Sequence, residues 1–195
     1  MNPTTMSRAQ LVRVLLSQPA GPLAPVPTTH AGDIEADYEP SGQARDVLLE
    51  RKLLAAREIL LRDLRKTLNT TPVFQSPQAL HEWLRLRCAH LEHEVFLVIY
   101  LTVQNQMIGI EEAFRGTLTQ TSVYPREIVK GALMRNAAAV VLAHNHPSGS
   151  PQASRADEYL TQTLKSALAL VDVRVLDHFI VAGEHTVSFA ERGLI

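Results

Sequence analysis

The residues of this chain best suited to chemistry are two histidines one residue apart, in the run His144-Asn145-His146-Pro147-Ser148-Gly149, followed by Ser154 and Asp157. In extended backbone such a pair points to one side with Cα atoms about 6.6 Å apart, so both imidazoles can converge on one ion. Pro147 and Gly149 then turn the chain, and Ser154 can cap a helix whose first turn carries Asp157, returning a carboxylate to the histidines. Two imidazoles and one carboxylate leave the fourth position of a tetrahedral ion open for water, which distinguishes catalytic from structural zinc. Donors of nitrogen and oxygen suit zinc or another borderline divalent ion. Each part also has a plainer reading. A histidine near a strand end is commonly a satisfied core or loop residue, and Ser-x-x-Asp ahead of an apolar helix is by itself a capping box. The whole pattern is much narrower than either part.

These residues need a strand to carry the histidines and a helix to carry the aspartate. Ala137 to Ala143 is a continuous apolar run of buried-strand length, with His144 at its end, and a helix is expected from Ser154 to about Leu170. Upstream, Val95 to Val103 and Met107 to Ile110 flank the polar Gln104-Asn105-Gln106 and read as a hairpin. Proline at the first helical position marks helices opening at Pro77, after Ser76, and at Pro125, the latter running to about Asn136. Two last strands, Val173 to Val181 and His185 to Phe189, turn at Gly183-Glu184. Strands alternating with helices after residue 94 predict an α/β domain with a central mixed sheet flanked by helices.

Before that domain the pattern is different. Leu49, Leu53, Ala56, Leu60 and Leu64 recur at helical spacing from Arg45 to Lys66, a stretch with seven basic and four acidic side chains. A solvated outer face is the plain reading of that surplus, and a nucleic-acid contact the minority one. Six of the eleven prolines fall before residue 45, and Pro19 to Gly42 shows no period, so this segment reads as an arm or linker. Ahead of it, Ser7 could cap a short helix carrying Leu11, Val14 and Leu15. The expected organisation is a flexible Pro-rich arm over 1–42, a helix over 43–72 and the α/β domain over 73–195.

Composition narrows the function. With 195 residues, 46% hydrophobic and 20% charged, the chain can build a core. Nineteen Lys plus Arg against twenty Asp plus Glu give a net charge of -1, so there is no chain-wide basic field for nucleic acid or anionic membrane. The single cysteine, Cys88, excludes an internal disulfide and any zinc site built on several thiolates, and points to a reducing compartment. Without a run long enough to span a bilayer, no membrane partner is expected and the cytoplasm is the expected location.

His-x-His-Pro-x(6)-Ser-x-x-Asp resembles the JAMM metal motif of the MPN, or JAB, superfamily, and His-Asn-His-Pro-Ser-Gly resembles the RadC family in particular. Gly116-Thr117-Leu118, Pro125-Arg126-Glu127, Arg135 to Ala139, Asp177-His178, Ser188-Phe189 and Gly193-Leu194 resemble RadC sequence in the same order. The resemblance is strong over about residues 90 to 195. RadC proteins commonly have proline where Ala153 stands, and larger ones carry an N-terminal helix-hairpin-helix element whose glycine turn is not found before residue 70.

The resemblance implies an MPN fold and a zinc-dependent metallohydrolase, with one Zn2+ per chain held by His144, His146 and Asp157, acting through a metal-activated water on peptide or isopeptide bonds. It implies a distant glutamate as general base and then acid, and Ser154 as oxyanion donor. Glu94, just before the strand from Val95 and within Glu94-Val95-Phe96, is the expected base; Glu112 is its competitor, with Glu92 and Glu111 behind. His178 is expected to be a buried imidazole paired with Asp177 or with backbone, a contact to a ligand being the other reading. The rival functions are a non-catalytic MPN binding module and an accessory protein of DNA repair or metabolism.

Overall fold

The computed structural model describes residues 2–17, 42–116 and 123–195. Most of the Pro-rich arm and residues 117–118 of the RadC-like pattern lie outside them. The chain divides into two units, Met1–Arg62 and Asp63–Ile195.

In the first unit, helix α1 (Arg8–Leu16) forms where Ser7 predicted it. The Ser7 hydroxyl accepts the Gln10 N–H and the Gln10 side chain accepts the Ser7 N–H, a reciprocal cap. Helix α2 (Gly42–Thr70) crosses the unit boundary and is longer than the predicted 45–66. The apolar stripe on α2 does not form the buried face: Leu49, Leu53 and Leu60 are exposed, and Ala55 is buried instead. Periodicity locates an amphipathic face but does not say what covers it. Arg62, one of the seven basic residues, pairs with Glu58 at 2.7 Å and donates to the Met6 carbonyl at 2.7 Å, so its charge ties α2 to the N-terminal segment.

The second unit is built on a mixed five-stranded sheet in the order β2-β1-β3-β4-β5. The strands are β1 (Val95–Leu101), β2 (Met107–Arg115), β3 (Ala139–Asn145), β4 (Arg174–Ala182) and β5 (His185–Ser188). Only β3 and β4 run parallel; the other neighbours are antiparallel. Helices α3 (Pro77–Cys88), α4 (Pro125–Met134) and α5 (Arg155–Ala169) complete it. The α/β expectation holds, with the central mixed sheet and its helices.

Strand alternation sorts the faces. Phe96, Val98 and Tyr100 of β1 and Val140 and Leu142 of β3 pack with Ile128 and Ala132 of α4 and with Leu164 and Leu168 of α5. His178 of β4 meets α5 through Thr161, while its neighbour Phe179 lies edge-on to His81 of α3 on the opposite face. Proline opens α3 as predicted, although the Ser76 side chain makes no cap bond.

The predicted strand 137–143 is shifted by two residues. Asn136 takes a left-handed conformation, and the Ala137 N–H closes the end of α4 on the Ala132 carbonyl at 3.0 Å, so pairing starts at Ala139. β3 consequently runs through His144 and Asn145 rather than ending before them. No helix among the described residues is long and apolar enough to cross a membrane.

Candidate metal centre

His144 is held inside the sheet, paired with Phe96 of β1 and Ile180 of β4, and only 2% exposed. Its ring lies on the same face as Val140 and Leu142, stacked 6.2 Å from the Phe96 ring. The chain stays extended for one more residue, since the His146 N–H still bonds the Val181 carbonyl at 2.9 Å. Both imidazoles therefore project to one side, and their Nε2 atoms stand 2.9 Å apart. Nδ1 of His146 faces the Ser150 carbonyl at 2.8 Å. A carbonyl only accepts, so Nδ1 carries a proton in every state of the ring, and in the neutral ring Nε2 is the nitrogen with the lone pair.

Asp157 arrives from the first turn of α5. Ser154 caps this helix: its hydroxyl accepts the Asp157 N–H at 3.1 Å, and Asp157 Oδ2 accepts from the Ser154 N–H and hydroxyl, each at 2.7 Å. The carboxylate also lies 3.3 Å from His144 Nε2 through Oδ1 and 3.6 Å from His146 Nε2 through Oδ2. The capping-box reading and the ligand reading are therefore compatible, because one carboxylate does both.

Glu94 enters from the residue before β1. A carboxylate oxygen of Glu94 and a ring nitrogen each from His144 and His146 lie within 4.8 Å of one another, a donor set able to hold a metal ion. The competing glutamates sit elsewhere: Glu112 pairs with Arg87 and Arg115, and Glu111 with Arg135 and the Tyr100 hydroxyl.

The fit to a metal can be tested on distances. Ligand atoms about 2.0–2.1 Å from a tetrahedral zinc ion lie about 3.3 Å apart. The two Nε2 atoms are 2.9 Å apart, Asp157 Oδ1 is 3.3 Å from His144 Nε2 and Asp157 Oδ2 is 3.6 Å from His146 Nε2, separations that bracket that edge. Electrostatics agree. The hydrogen bond to Asp157 raises the His146 pKa against the effect of burial, helped by the Ser150 carbonyl and by the charges of Asp157 and Glu94. Burial would raise the Asp157 carboxyl, but its contacts with the His144 and His146 rings outweigh it and hold the group far below the carboxylate range. A group of facing lone pairs and carboxylates binds positive charge, whether as a proton or as a cation.

Three residues complete the frame: Asn145 and Thr161, which sequence reasoning left without a role, and His178, whose contact with His144 matches the other of its two sequence readings. Asn145, the residue between the two histidines, points to the opposite face and is 1% exposed. Its Oδ1 accepts the Val95 N–H at 2.8 Å, and its Nδ2 donates to the His93 carbonyl at 3.0 Å. The ring of His178 pairs with neither Asp177 nor backbone. Asp177 instead accepts the backbone N–H of His178, while His178 Nε2 lies 2.8 Å from His144 Nδ1 and its Nδ1 lies 2.6 Å from Thr161 Oγ1. The run His-Asn-His hinted at Asn145; no local signal pointed to Thr161.

Residues 74–194 match the family described as the RadC-like JAB domain. A UPF0758 protein of Leptothrix cholodnii is 60% identical over 144 residues, 74% of this chain and 65% of that protein. One of Methylibium petroleiphilum is 61% identical over 144 residues, again 74% and 65%, and one of Aromatoleum aromaticum 60% identical over 145 residues, 74% and 64%. The matched stretch spans just under two thirds of the length of these relatives. A sheet and site of this form, together with a family match over most of the second unit, give one conclusion: the chain belongs to the RadC-like JAB domain family.

Proposed function

We propose that the protein is a zinc-dependent metallohydrolase of the JAMM type, acting on peptide or isopeptide bonds in the cytoplasm. The observation that carries the reading is the triangle of His144 Nε2, His146 Nε2 and the Asp157 carboxylate at tetrahedral-edge spacing, with Glu94 beside it. His144, His146 and Asp157 would hold the ion. When bound, zinc supplies Lewis-acid polarisation of a carbonyl and water made acidic near neutral pH.

The chain's own residues do the rest. Glu94 is the base, taking a proton from the attacking water and returning it to the leaving nitrogen, so that water and amide become acid and amine. Asp157 is assigned to the ion and Glu94 to the proton because Asp157 is fixed at 3.3 and 3.6 Å from the two ring nitrogens by its cap bonds to Ser154. Ser154 is the oxyanion donor of this proposal. Its proton now goes to Asp157 Oδ2, so donation to substrate requires its hydroxyl to rotate about Cβ–Oγ.

The test is elemental analysis of protein purified without added metal, followed by screening of peptide and isopeptide libraries. One zinc per chain in wild type, lost in His146→Ala, and turnover lost with it, is the expected result. Stoichiometric zinc retained in His146→Ala would move the ligands elsewhere. Zinc without turnover across broad screening would favour a binding module.

A further inference from the structure

His178 is 0% exposed, packed edge-on to Phe96 at 5.5 Å between ring centroids and tilted against Phe189 at 4.7 Å. An imidazole buried among rings must satisfy both nitrogens locally. Its ring nitrogens meet His144 Nδ1 at 2.8 Å and Thr161 Oγ1 at 2.6 Å, and Thr161 Oγ1 in turn lies 2.6 Å from the backbone carbonyl of Asp157. These contacts join β3 to β4 and β4 to α5, ending on the residue whose side chain faces the histidines.

The donor and acceptor chemistry of this chain of contacts runs one way from its end. The Asp157 carbonyl can only accept, so the single hydroxyl proton of Thr161 goes to it. A lone pair of Thr161 then receives the Nδ1–H of His178. His178 Nε2 is left bare and receives the Nδ1–H of His144, which leaves His144 Nε2 bare toward His146 and Asp157. The opposite order would place a proton on His144 Nε2 and close that nitrogen to a cation.

We infer that His178 and Thr161 are positioning residues that fix His144 as its Nδ1–H tautomer, presenting Nε2 to a divalent metal ion. The inference rests on the metal-centre reading above. It assigns His178 neither to the metal nor to substrate. Because the acceptor is a fully buried ring, kept neutral by that burial and held between His144 of β3 and Thr161 of α5, it orients His144 without adding charge to the site.

The experiment is competition of the metal-free full chain with a chelating dye for Zn2+. His178→Phe keeps a ring of similar size but offers His144 no acceptor, and zinc affinity should fall about 10–100-fold. His178→Gln places an amide oxygen near the position of Nε2 and should restore affinity to within a few-fold of wild type. Thr161→Val should weaken binding less than His178→Phe, and Thr161→Ser should behave as wild type. A purely packing role would reverse the first pair, favouring Phe over Gln, and that order would overturn the inference. Where His178→Phe fails to fold by circular dichroism, imidazole nitrogen NMR of wild type decides. His178 should carry its proton on Nδ1 with Nε2 bare, and a proton on Nε2 would overturn the inference. Wild type that binds no zinc would refute the metal-centre reading itself, with the tautomer still decided by the NMR spectrum.

Discussion

Asn145 grips the peptide groups on both sides of Glu94, accepting from the Val95 N–H at 2.8 Å and donating to the His93 carbonyl at 3.0 Å. The residue between the two histidines thus sets where the nearby glutamate enters, although the two lie about fifty residues apart in the chain. Side-chain amides suit this task because one group offers both an acceptor and donors.

Asn145→Ala should lower stability by about 1–3 kcal/mol, the usual cost of buried peptide groups left without partners. Urea unfolding would measure it. Zinc content should stay near wild type, since neither histidine nor Asp157 is touched, while any turnover falls. Unchanged stability would mean that the 91–95 segment is held by other bonds.

Gly131 of α4 faces the Tyr100 hydroxyl so closely that a Cβ there would overlap the oxygen and lie 3.1 Å from Glu111 Oε2. Tyr100 is fully buried, bonded to Glu111 and covered by Arg135 at 4.5 Å from its ring, so it has no free path of retreat. Gly131→Ala should therefore destabilise by about 1–3 kcal/mol through overpacking, despite the roughly 1 kcal/mol by which alanine favours a helix. Adding Tyr100→Phe should recover part of the loss. A more stable Gly131→Ala would show that Tyr100 moves.

The metal-free site should be pH-dependent with a definite sign. His146, raised above its ordinary 6.5, stabilises the fold fully below that value, and the contribution is lost as pH rises through its folded pKa. Asp157, lowered from 3.8, stabilises above that value, and loses its contribution as pH falls through its much lower folded pKa. Between about 4 and 6.5 both contribute. A metal ion must displace the His146 proton, so zinc affinity should rise with pH and uptake should release protons. Calorimetry in buffers of different ionisation enthalpy reads that release directly; binding without it would contradict the pairing of His146 with Asp157.

The metal-ligand candidates were legible because local geometry carries them: alternation puts His144 and His146 on one side, and a helix cap puts Asp157 at a fixed offset. What was not legible depends on pairing across the sheet. His178 meets His144 only because β3 and β4 run parallel in the observed register, and Thr161 reaches it one turn beyond Asp157 on α5. The exposed leucines of α2 failed for a related reason, since a period records a face and not its partner. The two-residue shift of β3 arose at a left-handed Asn136, a turn that the surrounding alanines conceal.

Glu94 and Ser154 should separate when each is replaced. Glu94→Gln keeps the shape but cannot take a proton, so turnover should fall about 10²–10⁴-fold with zinc retained. Ser154→Ala removes a hydroxyl that caps α5 and bonds Asp157 Oδ2, so it should cost about 1 kcal/mol of stability and loosen zinc as well as slow turnover. Glu112→Gln is the control, because that carboxylate is engaged by Arg87 and Arg115 and lies outside the donor cluster. Stopped cleavage of a library-derived substrate, read with zinc content on the same samples, distinguishes the three. Full turnover in Glu94→Gln with loss in Glu112→Gln would transfer the role of base to Glu112 and leave the metal centre as described.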